Sequence, residues 1–243
     1  LAGDINTLEG FELARRYFGE IPTGPSRPGV TVSDTTVVGS PRLLLRDRVE
    51  LPRLYLSWRS PRLFGEGDAA LDLLATILSS GKSSRLYRRL VHDNRIAMDV
   101  SVDQGSRELA GVFSIVATAA PGHSLAEIEA AITDELNQVL QDGLRDGEVE
   151  RSQAMVEADF VYRLQRVGDF GGRSDQLNAY NVYLKDPGYF DADLDRYLRL
   201  DSDSIRSAAQ VCLIEEERVA LSVIPTGGDL SIGLSDSQSV DVT

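Results

Sequence analysis

Apolar residues recur at helical spacing in the stretch DAALDLLATILSS, where Leu71, Leu74, Ile77 and Leu78 share one face. The stretch runs into Gly81-Lys82-Ser83, a tripeptide that ends many phosphate-binding loops. A complete loop needs a glycine five residues before the Gly-Lys pair, where this chain has Thr76, and it follows a strand rather than a helix. Gly81 therefore reads as the stop of the helix, where positive φ costs glycine least. Ser83 or Ser84 then caps a second helix, SRLYRRLVHD.

The remaining pattern alternates first and turns helical later. In RLLLRDRVELPRLYLSWRS the alternation of Leu43 and Leu45 with Leu44 and Arg46, and of Leu54 and Leu56 with Tyr55 and Ser57, predicts two strand segments or one long bent strand. AMDVSVDQ and GVFSIVATAA read as a hairpin, the second strand carrying Val112, Phe113, Ile115 and Val116. Beyond PGH, Ser124 and Glu127 form a capping box before IEAAITDELNQVLQ. Gly143 and Gly147 bracket the break to EVERSQAMVEADFVYRLQ. Helical stretches DQLNAYNVYL, FDADLDRYLRL and SDSIRSAAQVCL follow, then a last strand, RVALSVIPTG. Strands, then helices, then one returning strand predict an α+β fold: an antiparallel sheet with helices packed on one face.

At the start of the chain, Thr7 is the expected cap of a short helix, LEGFELARRYFG, closed by Gly19. Pro22, Pro25 and Pro28 with Gly24 and Gly29 then mark a linker. The expected organisation is residues 1–20 as the end of a preceding domain, 21–41 as linker, 42–227 as the main domain and 228–243 as a loosely held tail. The opening LAGDIN reads as the end of a strand without its sheet, so the chain is expected to be part of a longer protein.

The formal charge of −13, from 38 acidic and 25 basic residues, disfavours nucleic acid and anionic lipid as partners. No apolar run approaches the roughly 20 residues of a membrane span, and a soluble protein of cytoplasm or periplasm is expected. The single cysteine, Cys212, lies at a spacing that faces a helix inward and reads as inert packing.

Candidate chemistry is sparse. His92 and His123 are the only histidines, and neither has a second at helical spacing, so both read as surface or loop residues rather than metal ligands. No G-x-S-x-G is present. Carboxylate pairs Glu148/Glu150 and Glu215/Glu216 fall at element ends, where solvated charge is expected. Arg85, Arg88 and Arg89 form the one compact basic cluster, on neighbouring positions of a helical face. They are either ion-paired to the acidic remainder or, through the fork geometry of arginine, a grip on a substrate carboxylate. No catalytic and no metal-binding residue is assigned.

The order of segments nevertheless resembles one family. LAGDINTLEGFELARRYFGEIP is similar to the segment that ends the first domain of the pitrilysin-type zinc peptidases, the group of insulysin and mitochondrial processing peptidase. GKSSRLYRRLVHDNRIAMDVSV and GVFSIVATAAPGHSLAEIEAAITDEL resemble their second, non-zinc domain, and DGEVERSQAMVEADF, GRSDQLNAYNVYLKDPGYF and DSDSIRSAAQVCL continue in the same order.

The resemblance implies a LuxS- and processing-peptidase-like α+β domain, paired into halves that enclose a peptide chamber. Family members hold zinc by H-x-x-E-H in the first domain, and this chain has no such motif. It implies a non-catalytic domain that binds no cofactor itself, zinc belonging elsewhere in the parent protein. The partners implied are other domains or a second half of the same peptidase, and a peptide substrate. An arginine and a tyrosine that family members place seven residues apart correspond to Val91 and Met98, so no guanidinium or phenol is offered there. An alternative is a peptidase-like scaffold or subunit-interaction domain without a proteolytic role.

Overall fold

The computed structural model describes residues 2–25, 37 and 39–240. Contacts divide the chain into two units, Leu1–Asp34 with Met155–Asp195, and Thr35–Ala154 with Arg196–Thr243. The expected main domain of 42–227 is thus interrupted, since 155–195 group with the first residues of the chain. The linker expected at 21–41 lies, at 26–36 and 38, outside the described residues.

The larger unit is built on a six-stranded sheet. Its strands are β1 (Arg42–Asp47), β2 (Arg53–Ser60), β3 (Ala97–Ser106), β4 (Gly111–Ala119), β5 (Val219–Pro225) and β6 (Gln238–Ser239), in the order β3-β4-β2-β5-β1-β6. The α+β class is as expected, but the sheet is mixed rather than antiparallel, because β1 runs parallel to both β5 and β6. A parallel pair needs a long crossover, and the helical segment between β4 and β5 provides one. It returns β5 between β2 and β1, so the two strands read from one sequence stretch are not neighbours. The closing residues are also less loose than expected: 238–239 pair with β1, and Leu234 is buried.

Alternation along β2 explains why helices cover one face. Leu54, Leu56 and Trp58 are buried, whereas Arg53, Tyr55, Ser57 and Arg59 on the opposite face are more accessible. Phe113 and Ile115 of β4 join the buried set, Phe113 meeting the Trp58 ring edge-on at 6.3 Å. Helix α2 (Asp68–Ser79) supplies nine buried residues of its 12. Gly81 takes φ of +81° just beyond it, as a helix stop should. Helix α3 (Leu125–Asp142) begins with the expected capping box and buries Leu125, Ile128 and Ile132. Helix α7 (Ser202–Cys212) buries Ile205, Ala209 and Cys212. Arg218, ahead of β5, donates to Glu129 of α3 at 2.6 Å, and Arg42 of β1 donates to the same oxygen at 3.0 Å. One carboxylate therefore ties two strands to a helix.

The smaller unit holds α1 (Thr7–Phe18), much of α4 (Glu148–Gln165), α5 (Arg173–Ala179), a π-helical turn at Tyr180–Leu184 and the start of α6 (Phe190–Leu198). Its centre is Tyr180, whose hydroxyl donates to Asp193 at 2.6 Å and whose ring lies 5.0 Å from that of Phe190. The cap of α1 is Asn6 rather than Thr7: the Asn6 side-chain oxygen accepts from the Leu8 amide at 2.9 Å. Only Gly10 of α1 is buried. Leu8, Phe11, Tyr17 and Phe18, with Ile21 just beyond, form an apolar stripe open to solvent.

Candidate functional site

The three clustered arginines have separate fates. Arg85, just after the turn at Gly81, is buried beneath α3 and the start of α4, with a side chain only 2% exposed. Its Nε and Nη2 grip Glu148 at 2.9 and 2.7 Å, its Nη1 donates to Glu135 at 3.4 Å, and its Nη2 also reaches the Gly143 carbonyl. Burial works against the Glu148 charge, yet the Arg85 fork and the Arg145 amide overcome it and hold the carboxyl below the usual range. Of the two alternatives for Arg85 the ion-paired one holds and its candidacy as a substrate-facing residue is corrected: every face of its guanidinium is satisfied inside the protein. The expectation that Glu148 is a solvated charge is corrected with it. Arg89 lies at the edge of the same network, paired with Asp134 at 2.9 Å and Glu135 at 3.3 Å. Arg88 points outward, 67% exposed, with Asp93 at 3.4 Å.

The segment after Arg85 is irregular around Val91 and Met98, the two positions expected from the sequence to stand where the resemblance implies an arginine and a tyrosine. Residues Tyr87–Asp93 form a π-helical turn, so Val91 sits on a widened turn and is half-buried beside fully buried Leu90. The register of β3 against β4 shifts between Ala97 and Asp99, which leaves Met98 on the extra residue of a bulge, exposed. The backbone irregularities that re-aim side chains are present at both places. The side chains on them are apolar and offer no proton and no charge.

The histidines behave as surface groups: Nδ1 of His92 lies 2.7 Å from Asp93, and Nδ1 of His123 lies 3.4 Å from Glu127. Cys212 is buried, its thiol donates to the Arg59 carbonyl, and burial pushes its pKa up to about 12, out of reach of nucleophilic chemistry.

A polar cluster that was not singled out in the sequence lies on α2. Asp68 and Asp72, one turn apart, are the acids of an otherwise apolar helix. The Asp68 carboxylate accepts from the Phe64 amide at 2.9 Å, from Gln104 at 3.3 Å and from Arg196 at 3.4 Å. Asp72 accepts from the Tyr197 hydroxyl at 2.7 Å. Burial raises the Asp72 pKa to about 7; the Tyr197 hydrogen bond opposes the shift, and the neighbouring Asp68 charge adds to it. The sequence signal was the pair of aspartates at i and i+4 within an apolar run.

Two carboxylates at that spacing suggest a metal site, but their oxygens face arginine, tyrosine and amide donors. Among the described residues no group of three His, Cys, Asp or Glu side chains is placed to hold a metal ion. The residues present do not fit a zinc centre, and no chemical step is derived through one.

The order of segments read from the sequence agrees with the comparisons. A family model described as the peptidase M16 inactive domain matches residues 1–156. The chain belongs to that family. A zinc protease named PqqE from Helicobacter pylori is 23% identical over 175 residues, 71% of this chain and 39% of that protein. A Mycobacterium tuberculosis protein named as an uncharacterized zinc protease, Rv2782c, is 29% identical over 172 residues, 68% of this chain and 38% of its own length. The M16 chain described here thus matches less than two-fifths of these curated relatives.

Among solved structures, a protease from Helicobacter pylori superposes with a TM-score of 0.81 at 21% identity, covering 92% of this chain and 54% of that one. A peptidase M16 inactive domain from Pseudomonas fluorescens gives 0.73 at 18%, covering 92% and 52%. At such identity these likenesses speak for the fold. No helix among the described residues is long and apolar enough to cross a membrane.

Proposed function

We propose that this M16 inactive domain forms part of the wall of a peptide chamber and supports a zinc-bearing domain located elsewhere in a longer zinc metallopeptidase. Zinc, the attacking water and the cut peptide bond all belong to that neighbour. The present chain contributes shape, burial and a peptide-facing surface. Val91 and Met98 leave the polarising arginine and tyrosine to an opposite half. Of the arginine cluster, Arg88 is the member exposed enough to meet a peptide.

The observation that carries this reading is the bare stripe of α1. A helix this short is marginal alone and depends on covering its apolar face, yet Leu8, Phe11, Tyr17 and Phe18 remain 67% or more exposed. The occupant proposed is the zinc-bearing domain of the same polypeptide. The named relatives are long enough to contain it, and the family match includes α1 itself.

Peptide hydrolysis with excess zinc tests the proposal. The 243-residue chain alone is expected to cleave no peptide, and the full-length parent to cleave with chelator sensitivity. Robust, chelator-sensitive cleavage by the 243-residue chain would overturn the reading. An inactive parent lacking H-x-x-E-H would replace it with a scaffold.

A further inference from the structure

The two edges of the sheet are finished differently. At one, the short β6 lies against β1. At the other, β3 has a strand neighbour on its β4 side alone among the described residues. β3 is also long, with 10 residues, where strands commonly have about five or six. In an antiparallel pair every second residue turns its backbone N–H and C=O away from the partner strand. Val102 is such a residue, because its N–H is bonded away from β4, and by alternation Val100 and Gln104 are two more. A row of outward backbone groups is a template on which another strand can add.

Helix α2 interrupts that row. Leu74, Ile77 and Leu78 are buried and fix the roll of the helix, so Ser79 in its last turn meets the middle of the β3 edge. The Ser79 hydroxyl oxygen accepts from the Val102 N–H at 2.9 Å. Its own proton is within reach of the Ala75 carbonyl at 3.3 Å and the Val102 carbonyl at 3.5 Å. Bonding back to the carbonyl four residues earlier is a local habit of helical serine. Bonding to a strand 23 residues away is not, and it engages both backbone groups that an added strand would need at Val102.

Two further features act in the same sense. An extra residue at Met98 breaks the register at one end of the strand, and Asp99 and Asp103 stand exposed on the face away from buried Val100 and Gln104. Two copies paired antiparallel about Val102 would set Asp103 of one opposite Ser101 of the other and Asp99 opposite Gly105. Like charges would then gather on one face of the joined strands.

We propose that Ser79 stands in for a neighbouring strand and closes the β3 edge to strand addition by β3 of a second copy of this chain. The hydroxyl is the salt-independent part of the device and the aspartates are the salt-dependent part. The inference does not depend on the chamber reading. Where that reading holds, a peptide meets this wall through side chains rather than as an extra strand on β3.

Pyrene attached at Ser101→Cys reports the approach of two β3 strands by its excimer emission, the other thiol, Cys212, being buried. With Ser79 intact, no excimer is expected from the 243-residue chain in low salt or in about 1 M salt, where the Debye length is about 3 Å. Adding Ser79→Ala should produce excimer emission that rises with protein concentration and is stronger in the high salt. Ser79→Thr, which keeps the hydroxyl, should leave the emission absent. A hydrogen bond with a merely structural role would not move this signal. Excimer with Ser79 intact, or none with Ser79→Ala up to the solubility limit, overturns the proposal. Hydrogen exchange on the unsubstituted chain tests the contact without any variant. The Val102 amide should exchange about tenfold or more slower than those of Val100 and Gln104, the effect of one hydrogen bond made. Exchange at Val102 as fast as at those two neighbours overturns the proposal as well.

Discussion

Helices α1 and α2 are each 12 residues long, and both carry an apolar stripe. In α2 nine residues are buried; in α1 only Gly10 is. Composition does not cause the contrast, since α1 brings large aromatics and α2 brings leucines and alanines. It lies in what is present to receive each face. The sheet and α7 close over α2, which carries a buried aspartate, Asp68, satisfied by Arg196 and Gln104, and a part-buried one, Asp72, satisfied by Tyr197. Two helices of the same length thus separate a part of the molecule whose apolar face is covered from a part whose apolar face is open, the part proposed above to meet a neighbour. Each prediction below perturbs one side of that contrast.

The largest effect is expected on the covered side. Replacing Arg85 with alanine leaves Glu148 buried without its cation, while Glu135 keeps Arg89 and Arg145, and breaking a buried ion pair from one side costs about 3–5 kcal/mol. Urea unfolding should show that loss. Replacing both partners by apolar residues, Arg85→Met with Glu148→Leu, should recover much of it. A loss below about 1 kcal/mol for Arg85→Ala would mean that the buried network does not hold the larger unit together.

The second effect depends on pH. The Asp72 carboxyl titrates near 7 in the folded protein against 3.8 as its unperturbed value. Between those pH values the folded state keeps a proton that the unfolded state has lost. Its contribution to stability is therefore complete below about pH 4 and is lost as pH rises through 7. The shift of roughly three units sets a ceiling of about 4 kcal/mol. Stability measured at pH 5 and at pH 8 should differ in that direction, and Asp72→Asn should flatten the difference. A profile that is unchanged by Asp72→Asn would place the titration elsewhere.

Local elements were legible in the sequence wherever the deciding contacts are local. The stop at Gly81, the capping box of Ser124 and Glu127 and the inward Cys212 each depend on a few neighbouring residues, and each is in place. The errors came from partners far along the chain. Glu148 looked like a solvated charge because its partner, Arg85, lies 63 residues away. The sheet looked antiparallel because nothing local shows that β5 inserts between β1 and β2. Asp68 and Asp72 passed unnoticed because Arg196 and Tyr197 lie more than a hundred residues further on. The π-helical turn at Val91 and the bulge at Met98 add one residue each to a regular period, which pattern reading does not register.

The smallest effect is expected on the open side, and there its smallness is the point. Phe11→Ser removes an apolar side chain that is 67% exposed. Surface changes of this kind stay within about 0.5 kcal/mol, so unfolding of the 243-residue chain should hardly move. Hydrogen exchange should agree, with the amides of α1 far less protected than those of Val112–Val116 in β4. The same substitution in the longer parent should cost far more, because there the ring is expected to be buried, and replacing a buried phenylalanine by a smaller side chain costs about 3–5 kcal/mol. Equal protection of α1 and β4 in the isolated chain would show that the stripe needs no cover. A substitution as mild in the parent as in the isolated chain would show that the cover is not the zinc-bearing domain.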